Sequence, residues 1–244
     1  CNGDYIGFLD SDDFAEPETF EDLVKTATAN DADYVACGYT DFYEENGKEI
    51  TIHPYRASKP CKSAEDLYHD VWVSPWLHLY KADVIHASGV MFPEGVIYED
   101  IAFFINLIPY LKKVTCIEKA YVHHRKHKAS TMGMISLDRV MNILPVIDDV
   151  RNWYEAQGWN REFGRLCEYI CVRILLCSSV ERISHLKTFT ERQTAIQKTM
   201  AYIRQHYPAY RRNPEFRQGA RGCYMKMANR AVVTVMTEGL RMRN

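Results

Sequence analysis

Residues 5–17 read YIGFLDSDDFAEP, and this stretch decides the fold. The apolar run Tyr5–Leu9 has the length of one buried strand, and it leads directly into the acidic residues 10–13. Three carboxylates at the end of a buried strand repel one another and lose solvation, so a positive group is needed to offset that cost. A hard divalent cation, Mg²⁺ or Mn²⁺, fits best because these ions prefer oxygen ligands. Pro17 then begins an acidic segment that predicts a helix extending to about Ala29.

The acidic cluster has two other interpretations besides a metal site. A calcium-binding EF-hand loop starting at Asp10 fails, because Phe14 occupies its fifth position and Ala15 replaces its obligatory glycine. Alternatively, Ser11 or Asp13 caps the following helix and has no chemical role. The strand before the cluster and the helix after it match open α/β folds, in which ligands bind at the carboxyl ends of strands.

Residues 3–24 (GDYIGFLDSDDFAEPETFEDLV), followed by residues 32–39 (ADYVACGY), resemble the central segment of family 2 glycosyltransferases of the GT-A fold. The resemblance implies that Asp10 and Asp12 form a DxD pair that binds the divalent metal and the diphosphate of a nucleotide-sugar. Of the two, Asp12 is the better candidate for direct metal contact. Asp13 is assigned to the surroundings of the donor diphosphate.

The resemblance also implies a fold class and a division into domains. In the family, the strand at Tyr5 lies in mid-sheet and follows a half that holds the nucleotide base and ribose. The sequence therefore predicts an α/β fold, with a partial GT-A (Rossmann-like) sheet that lacks this N-terminal nucleotide-binding half. Residues 1–134 are predicted to be the C-terminal part of the catalytic domain. Helical periodicity dominates afterwards, and residues 135–244 are predicted to be an α-helical region.

A second group of candidate residues lies in residues 92–100, FPEGVIYED, where a loop leads into a helix. Helix dipoles favour acidic residues at this position whatever their role. The resemblance implies more, namely that Asp100 is the general base of an inverting enzyme and that Glu99 orients it or binds the acceptor. Glu94 is assigned to acceptor binding. An inverting reaction proceeds in one displacement, without a covalent sugar–enzyme intermediate.

The segment 121–131, YVHHRKHKAST, has three histidines and three further basic side chains within six residues, which predicts a local positive patch. Beside a diphosphate such a patch stabilises the charge of the leaving group, and the resemblance assigns His124 and Arg125 to this role. A solvated basic loop without function is the alternative. A zinc site formed by His123, His124, His127 and Cys116 fits no standard spacing.

The segment 76–81, WLHLYK, resembles a family stretch in which lysine is common at the position of His78. Trp76 is a candidate acceptor-binding residue, with core packing as the alternative. A neutral histidine would contact phosphate less well than lysine does.

Composition narrows the functional classes. The 244 residues have a net charge of −2, so no strong basic field suggests nucleic-acid binding. Eight cysteines without paired spacing favour a reduced setting, either in the cytoplasm or at the inner face of a membrane.

Residues 217–243 mix basic and apolar residues. This pattern suits peripheral membrane contact or contact with a partner, and a helix packed onto the chain's own domain explains it equally well. Self-association is also expected.

The sequence therefore predicts a metal-assisted, inverting transferase that moves a sugar from a nucleotide-sugar to a glycan or lipid-linked acceptor, in cell-surface polysaccharide synthesis. One alternative is a catalytically incomplete fragment that acts as an interaction module. Another is a metal-dependent phosphohydrolase, which would use the same carboxylates but leaves residues 92–100 and the histidine-rich segment unexplained.

Overall fold

The structure, a computed structural model, describes residues 2–53, 63–69, 73–126, 135–216 and 219–243. The chain forms two compact units, which are described separately below. The first consists of Cys1–Pro93 and Phe103–Gly133, and the second of Glu94–Ala102 and Met134–Asn244. The predicted boundary at residue 134 did not anticipate that residues 94–102 group with the C-terminal helices.

The first unit is built on one mixed sheet of six strands. The strands are β1 (Tyr5–Gly7), β2 (Phe14–Ala15), β3 (Tyr34–Tyr43), β4 (Lys48–Ile52), β5 (His78–Lys81) and β6 (Val114–Lys126). Their order is β1-β5-β3-β6-β2, and β4 pairs with the second half of β3. The β3–β6 pair is parallel and all the others are antiparallel. The α/β fold class is confirmed.

Helices cover this sheet and close its core. They are α1 (Thr19–Asn30), α2 (Ala64–His69), α3 (Ala82–Ser88) and the part of α4 (Glu99–Leu107) from Phe103 onward, and short 3-10 turns span Pro75–Leu77 and Ile108–Tyr110. The first half of β3 is fully buried, as expected for an apolar strand with neighbours on both sides. Ser63 and Asp66 cap α2 reciprocally, since the backbone amide of Asp66 donates to Ser63 Oγ (3.4 Å) and the amide of Ser63 donates to the Asp66 carboxylate (3.1 Å).

One prediction for the first unit is wrong. The run Tyr5–Leu9 is not a buried strand, since β1 covers only three residues and lies half-buried at the end of the sheet. The alternative of a solvated basic loop also fails as far as Lys126, because residues 114–126 form an inner strand between β3 and β2. Residues 123–126 of this strand are only partly buried. Residues 127–134, which include His127 of the alternative zinc site, lie outside the described residues.

The second unit is helical, as predicted. Its helices after residue 134 are α5 (Leu137–Met141), α6 (Ile143–Ala156), α7 (Asn160–Arg173), α8 (Ser179–Ser184), α9 (Phe189–His206), α10 (Ala220–Met227) and α11 (Arg230–Arg241). A π-helical turn, Ile174–Ser178, joins α7 to α8 and makes one continuous helical rod.

Particular side chains set three boundaries in this unit. The helix breaks at Asn142 between α5 and α6, and Pro145 lies in the first turn of α6, where its missing amide costs nothing. Thr188 caps α9 through a capping box with Glu191. The Asn213 side chain donates to Arg165 O (2.8 Å) and to a carboxylate oxygen of Glu168 (2.9 Å).

Candidate active site

The acidic residues 10–13 form a tight turn between β1 and β2. The backbone amide of Asp13 donates to Asp10 O over 3.1 Å, which turns the chain back on itself. One carboxylate oxygen each from Asp10, Asp12 and Asp13 lies within 4.8 Å of the other two. Within the part of the chain that the structure describes, no other group of three His, Cys, Asp or Glu side chains is as close together. The turn thus collects the three carboxylates that the sequence singles out.

Asp13 is the anchored member of this acidic turn. Its Oδ1 accepts from the backbone amide of Arg125 on β6 (2.8 Å), whereas its Oδ2 is buried and has no hydrogen-bond partner among the described residues. Burial raises the pKa of the Asp13 carboxyl, the Arg125 amide and the nearby His124 lower it, and Asp12 raises it. A buried carboxylate oxygen without a donor, next to two further carboxylates, fits the oxygen-ligand demand of Mg²⁺ or Mn²⁺.

His124 of β6 is held by a residue that the sequence analysis missed. Its Nδ1 lies 2.9 Å from Oδ1 of Asp41, and Lys126 Nζ lies 3.4 Å from the same oxygen. Asp41 is a buried residue of β3, and the parallel register pairs it directly with His124. On its other side, the His124 ring packs against Trp76, with ring centres 5.1 Å apart. The structure therefore brings Trp76 and His124 together, although Trp76 is largely buried in the core.

The two neighbours of His124 in β6 have different partners. His123 stacks on Phe14 (ring centres 4.4 Å apart), and its Nε2 lies 2.8 Å from Glu16 Oε1, so it fastens β2 to β6. The Arg125 guanidinium lies over the Phe14 ring at 5.8 Å and 3.6 Å from Glu44. The main link from Arg125 to the acidic turn is thus its backbone amide.

His78, which replaces a common family lysine, is a core residue. It is buried beside Tyr34 and Phe104, and its Nδ1 lies 3.0 Å from the Tyr80 hydroxyl. Burial lowers the pKa of its imidazole to about 3. A neutral, enclosed histidine cannot supply the positive charge that a phosphate contact needs.

Glu99 and Asp100 are the first two residues of α4 and lie in the second unit. Glu94, in the loop before α4, belongs to the same unit and is exposed. The Asp100 side chain accepts from the backbone amide of Ile101 (2.9 Å). Burial raises the pKa of the Asp100 carboxyl to about 6. The Ile101 amide and Arg182 act against that rise, and Glu99 adds to it. A carboxylate with a pKa near neutrality is well matched to general-base work.

The loop before Asp100 has a constrained backbone. Gly95 and Tyr98 both have left-handed φ values, +73° and +75°, and the second is uncommon for a bulky residue. Asn142 accepts from the backbone amide of Ile97 (2.6 Å), and the Arg182 guanidinium lies 4.3 Å from the centre of the Tyr98 ring. The sequence analysis missed both Asn142 and Arg182, since each is far from the loop in sequence.

Structural comparison shows what this fold resembles. The whole chain aligns with 69% of Staphylococcus aureus TarS (residues 1–349, in complex with UDP-GlcNAc), with a TM-score of 0.66 and 14% identity. The same region of TarS in its crystal structure without that ligand aligns with a TM-score of 0.63. At this identity the likeness shows the fold, and it confirms the GT-A class.

Sequence comparison adds a likeness to one family. Residues 1–83 match the family described as glycosyl transferase family 2. The chain is 28% identical over 137 residues to the glycosyltransferase EpsH of Bacillus subtilis (strain 168), and 22% identical over 199 residues to the glycosyltransferase YibD of Escherichia coli (strain K12). These matches cover 53% and 75% of this chain, and 40% and 57% of the relatives. The chain thus spans about half the length of these curated relatives, and its first 83 residues are similar to glycosyl transferase family 2.

Among the described residues, no helix is both long enough and apolar enough to cross a bilayer.

Proposed function

We propose that the protein transfers a sugar from a nucleotide-sugar to a glycan or lipid-linked acceptor, with inversion and with the help of Mg²⁺ or Mn²⁺. The acidic turn carries the proposal, because its three carboxylates lie within 4.8 Å of one another and include a buried oxygen without a donor. The similarity to the glycosyltransferase EpsH, and to TarS in complex with UDP-GlcNAc, supports transfer from a nucleotide-sugar. We extend the proposal to the synthesis of cell-surface polysaccharides in the cytoplasm.

In this proposal Asp10, Asp12 and Asp13 hold the metal and thereby place the donor diphosphate. The metal, when bound, acts as a Lewis acid that neutralises the departing nucleoside diphosphate. Lys126 and Arg125 add positive charge at the same end of β6, and His124, fixed by Asp41, presents its second ring nitrogen.

The proposed chemical step uses Asp100 as the base. Its carboxylate takes the proton of an acceptor hydroxyl while that oxygen bonds to C1 of the sugar. The bond from C1 to the diphosphate oxygen breaks on the opposite face, and its electrons leave with the diphosphate. With a pKa of about 6, Asp100 is ionised at pH 7 yet basic enough to receive the proton. Glu99, Glu94 and Trp76 are proposed to contact the acceptor.

The test is a donor screen on the complete gene product with Mn²⁺, beginning with UDP-GlcNAc, the ligand of the TarS complex. Release of nucleoside diphosphate measures turnover, and NMR of the product identifies its anomer. We expect one preferred donor and an inverted product. Asp100→Asn should lower turnover by about 10²-fold or more, whereas Asp138→Asn, at an exposed acid on α5, should not. A product of retained configuration would overturn the mechanism.

A further inference from the structure

Helix α11 buries one face and leaves an apolar face open. Val233 and Thr237 are buried within the second unit. The α11 face, defined here as Val235, Met236 and Met242, is exposed, with Val235 and Met242 74% and 84% accessible. Nearby Met227, at the end of α10, is exposed as well. Most of the exposed large apolar side chains described in the second unit therefore lie in this short C-terminal stretch.

Two cavities open beside this face and share the side chains of Met236 and Leu240. One measures about 580 Å³ and is lined mainly by apolar residues of α11. The other, about 520 Å³, reaches the π-helical turn and has charged groups in its wall, two arginines and one glutamate: Arg173, Arg221 and Glu181. The surface is therefore apolar at its centre and predominantly basic at its margin.

The charge of this region is strongly one-sided. Residues 219–243 contain one acidic side chain, Glu238, and Arg192 of α9 occupies both of its carboxylate oxygens (2.7 and 3.0 Å). The same stretch contains five exposed basic side chains: Arg221, Lys226, Arg230, Arg241 and Arg243. An exposed apolar face whose two cavities are lined by Arg173, Arg221 and Arg243 matches a surface that offers both acyl chains and negative headgroups.

We propose that the α11 face docks on an anionic lipid bilayer. At 12 residues, α11 is about 18 Å long, too short to cross a hydrocarbon core of about 30 Å, so it lies along the interface. Val235, Met236 and Met242 enter the acyl boundary, while Arg241 and Arg243 contact lipid phosphates. A second copy of this chain fits the face less well, because a two-fold contact would oppose the same cations.

The test is flotation of the protein with phosphatidylcholine vesicles that contain or lack phosphatidylglycerol, at low and high salt. We expect binding only with the anionic lipid, weakened by salt. The Val235→Asp/Met242→Asp variant should lose binding. Arg241→Gln/Arg243→Gln should weaken it by about fivefold for each arginine removed. Both pairs are exposed, so folding should be retained, and the circular dichroism spectrum checks this.

Matched control variants distinguish binding through the α11 face from non-specific binding to vesicles. Met91→Asp removes an apolar side chain of the first unit that is 78% accessible, and Arg161→Gln/Arg165→Gln removes two exposed cations from α7. Both should bind vesicles like the unchanged protein. Equal binding to both vesicle types, or binding unaffected by Val235→Asp/Met242→Asp, would overturn the proposal. A dimer that this variant disrupts, with no vesicle binding, would assign the face to a second copy instead.

Discussion

Oδ1 of Asp41 lies 2.9 Å from Nδ1 of His124, and the two residues face each other on adjacent parallel strands. A carboxylate at this position holds the proton on Nδ1 and leaves Nε2 with its lone pair. The same carboxylate attracts Lys126 Nζ at 3.4 Å. Asp41 therefore orients an imidazole and an ammonium group close to the acidic turn, and we interpret it as a positioning residue.

Asp41→Asn is expected to weaken binding of Mn²⁺ together with UDP by about tenfold, because His124 and Lys126 lose the carboxylate that orients them near the acidic turn. Isothermal titration calorimetry measures the affinity. Glu49→Gln, at an exposed acid of β4 in the same sheet, serves as the control. In a His124→Gln background the Asp41 substitution should have little further effect. A full effect in that background would show that Asp41 acts without His124.

The pH dependence of turnover should report the ionisation of Asp100. Because only its carboxylate accepts a proton, kcat/KM is expected to rise with pH up to about 6 and then level off. Arg182 lowers the pKa of Asp100, so Arg182→Gln should move this acidic limb to higher pH. The measurement is a pH–rate profile for both proteins. If the apparent pKa on the acidic side of the profile is the same in both proteins, Arg182 does not influence the ionisation of Asp100.

Asp100→Asn should stabilise the fold at neutral pH while lowering turnover. The folded state raises the pKa of Asp100 from 3.8 to about 6, so it holds the proton more tightly than the unfolded state. Below about pH 3 both states are protonated and stability does not depend on this group, whereas from there to pH 6 stability falls, and the loss persists above. One pKa unit corresponds to about 1.4 kcal/mol, so the variant should gain up to about 3 kcal/mol in unfolding free energy. Urea titration at pH 7 and at about pH 3 checks this, since the gain should vanish at the lower pH.

Local sequence patterns predicted the acidic turn, the helix after it and the acidic start of α4, because each depends on neighbouring residues. They did not predict the pair Asp41–His124, whose members are 83 positions apart and meet only through the β3–β6 register. Residues 121–126 lack alternation of apolar and polar side chains, so their place in an inner strand was not predicted. Likewise, the apolar composition of β1 is typical of a buried strand, but its burial depends on where the strand lies in the sheet, and composition does not specify that position.

The edge of the sheet at β1 should mediate self-association. Among the described residues, β1 pairs only with β5, and Leu9 and Phe20 beside it are each 44% accessible. Open strand edges and apolar patches attract partners. Leu9→Lys/Phe20→Lys should therefore shift the 244-residue chain towards monomer in sedimentation velocity. Ile50→Lys, at an exposed apolar residue of β4, is the control. Equal association in all three proteins would exclude this edge.

The most direct test of the metal site is a titration of the complete gene product with Mn²⁺, in which electron paramagnetic resonance measures the free ion. The account predicts one site, strengthened by UDP, and a loss of affinity of at least about tenfold in Asp12→Asn. Asp83→Asn, at an exposed acid on α3, should bind like the unchanged protein. Folding should be unharmed, because removing one of three crowded carboxylates relieves repulsion. Equal Mn²⁺ affinity in Asp12→Asn and the unchanged protein would contradict the assignment of the acidic turn as the metal site.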